Sequence, residues 1–163
     1  MSANEASGVN RRRVLIGAAG LAAGGAGLAA IVAPAPARAT PAMMAAAIKG
    51  VIGDAPLRKG KVTLDVPPLV ENGNTVPVEV SVESPMTLKD HVKAIHLFNE
   101  KNPQPYVISA KLGPRAGQGR LATRMRLADS QKVIAVAEMS DGTFWSDDVD
   151  VIVTIAACLE DVP

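Results

Sequence analysis

The sequence predicts an all-β protein: an antiparallel immunoglobulin-like β-sandwich with a short N-terminal helix, preceded by a cleavable signal peptide. Three observations carry that reading. Val76, Val78, Val80 and Val82 alternate with Pro77, Glu79, Ser81 and Glu83, which turns one side of an extended segment to a core and the other to water. Similar segments recur at short intervals, separated by turn-forming clusters with no helical pattern between them. Parallel neighbours would need long crossovers, so short turns between strands favour antiparallel sheets.

The first 39 residues read as an address. Asn10-Arg11-Arg12-Arg13-Val14-Leu15-Ile16 leads into an uncharged stretch, and Ala37-Arg38-Ala39 is a small-x-small site of the kind signal peptidase reads. Arg11 and Arg12 match a twin-arginine motif, and cleavage between Ala39 and Thr40 releases the mature chain. The uncharged stretch is long enough to span a bilayer. It is mostly Ala and Gly and ends in Pro34 and Pro36, too weakly apolar for a permanent membrane anchor. Removal of residues 1–39 takes away four arginines and one glutamate, leaving the remainder slightly acidic, so the basic excess belongs to the address and is no binding patch.

Residues 40–155 form the domain. Met44, Ile48 and Ile52 at spacing four predict one amphipathic helix over Pro41 to Ile52, stopped by Gly53. Strands are expected at Val62–Val66, Val76–Val82, Val92–Phe98, Tyr106–Leu112, Leu121–Leu127, Val133–Met139 and Val149–Ile155. Pro77 lacks an amide hydrogen, which predicts an edge strand or a bulge there. The expected core includes Val78, Val80, Ile95, Leu97, Met125, Leu127, Val151 and Val153.

Residues 156–163 form a tail bearing Cys158, the single cysteine. It stands three residues beyond the last strand, a reach of roughly 10 Å in extended chain. A lone thiol is commonly a small buried hydrophobe. In an exported protein it tends instead to pair with another molecule or to serve a reaction.

Other chemistries find little support. Aromatic residues make up 2% of the chain and the net charge is +1, so neither a base-stacking platform nor a field for nucleic acid is present. His91 and His96 read as exposed residues on opposite sides of a strand, unable to grip a metal together. Asp147, Asp148 and Asp150 read as a solvated lead-in to the last strand. Arg115, Arg120, Arg124 and Arg126 are the densest cationic stretch, with Arg124 and Arg126 on one strand face. They form either a polar outer face or an attractor of small anions. No Ser-His-Asp order, nucleotide loop or paired carboxylates stand out, so no catalytic residue, metal ligand or cofactor site is assigned.

Several segments together resemble one family. Val70-Glu71-Asn72-Gly73-Asn74-Thr75-Val76-Pro77-Val78, Ser84-Pro85-Met86, His91-Val92-Lys93-Ala94-Ile95-His96, Glu100-Lys101-Asn102-Pro103, Thr123 to Gln131 and Val136 to Gly142 are similar to SoxY, the sulfur-carrier subunit of the periplasmic Sox thiosulfate-oxidising system. The resemblance implies a periplasmic protein exported by the twin-arginine pathway and a heterodimer with a SoxZ-like subunit. It also implies that Cys158 holds the substrate covalently: thiosulfate is joined to it by the haem protein SoxAX, sulfate is released by SoxB, and the remaining sulfane sulfur is oxidised by SoxCD. The carrier is then not itself an enzyme. The family's usual ending, Gly-Gly-Cys-Gly-Gly, is replaced here by Ala156-Ala157-Cys158-Leu159-Glu160, with further residues after it. That departure keeps a second reading open, a structural or adaptor subunit that carries no sulfur.

Overall fold

A computed structural model describes residues 39–155. Helix α1 (Pro41–Ile52) has the expected bounds. Thr40 caps it, its hydroxyl accepting from the Met43 amide at 3.3 Å, and Pro41 opens the first turn where no amide hydrogen is needed. Gly53, at φ 61°, ends it and donates its amide to the Lys49 carbonyl.

Nine strands follow: β1 (Leu57–Lys59), β2 (Val62–Asp65), β3 (Leu69–Asn72), β4 (Val76–Val82), β5 (Val92–Asn99), β6 (Tyr106–Lys111), β7 (Gly119–Met125), β8 (Gln131–Met139) and β9 (Phe144–Ile155). The larger sheet runs β1-β9-β8-β5-β6, with β3 also paired to β9, and the smaller runs β2-β4-β7. Their facing sides share one core, Val62, Leu64, Val76, Val78 and Val80 from the small sheet against Ile95, Leu97, Val133, Ala135, Ala137 and Val151 from the large. Of the expected core only Val153 is half-buried rather than buried. The helix lays Met44 and Ile48 on Phe98, Val136 and Phe144, which point away from that core. β5 and β8 are therefore covered on both faces, and their burial is nearly continuous rather than alternating.

The structure corrects four expectations. The sheets are not purely antiparallel, because β1 and β3, both absent from the sequence reading, pair parallel to β9. Each has only three or four residues, too few to show a period. β9 starts at Phe144 rather than Val149. Its three aspartates are not a solvated lead-in but lie within the strand, held by partners. Asp147 accepts from the Leu64 amide at 2.9 Å, Asp148 pairs with Lys59 and Lys132, and Asp150 pairs with Lys132. β7 ends at Met125, so Arg126 leaves the strand and shares no face with Arg124, while Leu127 stays fully buried in the following loop. Finally, β4 is the middle strand of its sheet and shows no bulge at Pro77. β2 pairs with β4 only as far as Glu79, so at Pro77 one side of the strand has no neighbour and the missing amide is tolerated.

Candidate functional site

Cys158, Arg11 and Arg12 lie outside the described residues. Ala39 and Thr40 lie within them: Ala39 is buried and donates its amide to the Asn102 carbonyl at 3.1 Å, and Thr40 is the helix cap. What the structure describes is the ground from which the cysteine-bearing segment departs, the end of β9 at Ile155.

That end is fastened from two sides. On one, β3 runs parallel to it, with Leu69 opposite Ile152, Val70 opposite Val153 and Asn72 opposite Ile155. The Gly73 amide donates to the Ile155 carbonyl at 2.8 Å, and the Thr154 hydroxyl donates to the Glu71 carbonyl. The Asn72 side chain accepts from the Asn74 amide and so folds the turn that aims Gly73 at β9. On the other side Ser130 takes the Val153 amide on its hydroxyl oxygen at 2.9 Å. The loop carrying Ser130 is itself fixed by Asn102, whose side chain accepts from the Ala128 amide and Gln131 and donates to the Arg126 carbonyl. The Leu127 amide closes the circuit on the Gly73 carbonyl at 2.8 Å. Six of these eight bonds use a side chain, but most of their partners are far apart in sequence, so residue types alone gave no signal for them.

Beside this fastening three large apolar side chains face water. Leu69 is 60% exposed, Ile152 58% and Ile155 65%. Leu69 and Ile152 are direct cross-strand neighbours and therefore share a face. Their charged surroundings are largely neutralised, Lys132 by Asp148 and Asp150, and Lys101 by Asp129 at 3.3 Å.

The arginine stretch is not gathered into one site. Arg120 is held by both carboxylate oxygens of Glu79 at 2.6 Å, and that bond keeps the Glu79 carboxyl below its ordinary range. Arg115 sits in the turn Pro114–Ala116, Arg124 borders a shallow cleft with Asp65 and Pro77, and Arg126 lies past the strand end.

His96 corrects the expectation of an exposed residue: it is only 6% exposed. Val107 is an extra residue in β6, so Tyr106 rather than Val107 stands opposite Phe98. The Tyr106 ring stacks on Phe98 with centroids 4.9 Å apart, and its hydroxyl meets His96 Nδ1 at 2.7 Å. His96 Nε2 is buried without a hydrogen-bond partner among the described residues. Burial pushes the ring's pKa down, with Glu138 pulling weakly the other way. The run Val92–Asn99, apolar on both parities around His96, was the available signal for a strand covered on both faces. His91 stands outside β5, its Nδ1 against the Thr87 carbonyl at 3.1 Å. Among the described residues no three His, Cys, Asp or Glu side chains converge as a metal site.

The family model for sulfur oxidation protein SoxY matches residues 48–158, a span that ends on Cys158. The sulfur carrier protein SoxY from Chlorobium limicola f thiosulfatophilum is similar in structure. It has a TM-score of 0.59 and 27% identity, and the match covers 70% of this chain and 98% of that one. A superoxide reductase (neelaredoxin) from Ignicoccus hospitalis shares the fold at TM-score 0.52 and 16% identity, over 57% of this chain and 79% of its own. No curated protein sequence matches. A family match over more than half of the sequence, on a mostly-β domain of the same architecture as a solved SoxY, means that the chain belongs to the SoxY family.

Proposed function

We propose that this protein is a covalent carrier of thiosulfate-derived sulfur, with Cys158 as the attachment point. The observation that supports this most is the placement of the chain's single thiol. It lies three residues past a strand end fastened on both sides, at the last residue of the family match. A rigid base and a short arm allow an enzyme to reach the cargo without the domain entering its active site.

The chemistry balances. Loading joins the cysteine thiolate to the outer sulfur of thiosulfate, giving Cys–S–S–SO3⁻ and releasing two electrons, which pass one at a time through the oxidised haem of a SoxAX-type enzyme to a downstream electron acceptor. Hydrolysis by a SoxB-type enzyme adds water, releases sulfate and two protons, and leaves Cys–S–S⁻. A SoxCD-type enzyme then oxidises the remaining sulfane sulfur with three waters, giving Cys–S–SO3⁻ and releasing six protons and six electrons to its acceptor. In this scheme the chain supplies the thiolate and no catalytic group or cofactor of its own. Its fold is of the immunoglobulin-like sandwich class, and it works in the periplasm as a heterodimer with a SoxZ-like subunit. Arg11 and Arg12 direct twin-arginine export of the folded pair, and cleavage follows Ala39. Replacing both arginines with lysine should then hold both subunits in the cytoplasm, and continued export of either would refute the shared route.

The carrier reading is tested by incubating mature heterodimer with thiosulfate and the loading enzyme and weighing the protein. A gain of one thiosulfate, reversed by reductant and absent in Cys158→Ser, is expected; no gain refutes it. The alanine, leucine and glutamate flanks of Cys158 favour a second reading, a non-carrier adaptor. In that case Cys158→Ser leaves thiosulfate oxidation intact.

A further inference from the structure

We infer that the folded domain keeps its own signal-cleavage bond closed: the bond between Ala39 and Thr40 is cut only after the start of α1 is released from the large sheet, while the two-sheet core stays folded. The inference rests on the reading above that the chain is exported folded and cleaved after Ala39, and it adds what controls the cut.

A protease binds the residues around its target bond as extended, unpaired chain, so it cuts segments that are exposed and loosely held. The bond between Ala39 and Thr40 is neither. Ala39 is 5% exposed, and its amide is taken by the Asn102 carbonyl at 3.1 Å. Asn102 is a fixed partner, because its side chain is bonded to the Ala128 amide, to Gln131 and to the Arg126 carbonyl. On the other side of the bond, the Thr40 carbonyl accepts from the Met44 amide at 3.0 Å and the Thr40 hydroxyl from the Met43 amide at 3.3 Å. Thr40 itself is extended, at φ −122° and ψ 162°, but Pro41 already begins the helix. The chain after the bond therefore cannot continue the extended line that a protease requires until the first turn of α1 unwinds.

That turn is held from further along the helix. Met44 and Ile48 are buried against Phe98, Val136 and Phe144. None of these five residues belongs to the core between the sheets, so α1 can lift without opening that core. When opening and closing are fast compared with cutting, the rate of cutting follows the population of the open form. A change that weakens the α1 cluster should then speed the cut, and a change that weakens only the core should not.

The test uses the folded full-length precursor and purified signal peptidase, with a synthetic peptide of residues 30–46 as the unfolded reference. Cleavage after Ala39 is followed by mass. The parent precursor should be cut at least about ten-fold more slowly than the peptide. Ile48→Val, eight residues past Thr40, should raise the precursor's rate roughly two- to ten-fold, the change in opening equilibrium expected from trimming one buried isoleucine. Ile95→Val trims the core by the same amount and should leave the rate unchanged. Far-UV circular dichroism checks that both variants keep their sheets. A precursor cut as fast as the peptide overturns the inference, and so does Ile48→Val without effect. Equal acceleration by Ile95→Val also overturns it, since the cut would then follow unfolding of the whole domain. A peptide that is not cut after Ala39 refutes the cleavage-site reading itself, and this inference falls with it.

Discussion

Acidification should destabilise this domain through one residue, His96. Its ring is 6% exposed, Nδ1 is engaged by the Tyr106 hydroxyl at 2.7 Å, and Nε2 has no partner among the described residues. The protonated ring carries N–H at both nitrogens with no acceptor for the one at Nε2 among the described residues, and burial holds the folded ring's pKa below its ordinary value. In the unfolded chain the ring titrates near 6.5. As pH falls through that value the unfolded state takes up a proton that the folded state refuses, and stability is lost until the lower folded pKa is reached. A ring that stays neutral in the fold costs about 1.4 kcal/mol at pH 5.5 relative to high pH, the upper limit for one group. Urea unfolding followed by the fluorescence of Trp145 measures this directly. With a slope of about 1–3 kcal/mol per molar urea, the midpoint should fall by roughly 0.5–1.4 M between pH 7.5 and 5.5. His96→Gln should flatten most of that dependence while lowering stability at pH 7.5. An unchanged pH slope in His96→Gln would show that the proton is taken up elsewhere and refute the reasoning.

Ile95→Ala should cost about 2–5 kcal/mol in denaturant unfolding, because the side chain is fully buried between the sheets. Gly119→Ala should cost about 1–3 kcal/mol: a Cβ there would lie 2.7 Å from Val92 Cγ2 and 3.0 Å from the Val82 carbonyl oxygen. Thr40→Ala, measured on the mature chain, should lower stability by about 1 kcal/mol through loss of the α1 cap. Protein isolated without reductant should run partly as disulfide-linked dimers on non-reducing gels, and Cys158→Ser should abolish them.

The sequence made the two-sheet core legible wherever one face of a strand meets water. Val76–Val82 shows this plainly, and the helix emerged with its observed ends because Thr40, Pro41 and Gly53 carry cap chemistry. β1 and β3 stayed hidden because their existence depends on β9 offering unpaired edges along its twelve residues, a tertiary condition that three or four side chains cannot announce. His96 was misplaced for a related reason: its ring lies against Tyr106, which a bulge in β6 brings opposite Phe98. Cys158 was legible as a lone thiol, whereas the fastening near Ile155 depends on partners brought together only by the fold. The exposed pair Leu69 and Ile152 exists only through register.

The way β9 is held has a mechanical consequence. A force applied along the axis of β9 runs across its hydrogen bonds to β8, β1 and β3. Such a load is shared by the whole ladder in shear rather than concentrated on one bond at a time, as it would be if the strand were peeled sideways. Under the proposed carrier role, an enzyme pulling along this axis would work against twelve residues at once. A pull along β9 is thus taken up by the ladder that ends at Ile155, and the two-sheet core does not have to yield to it.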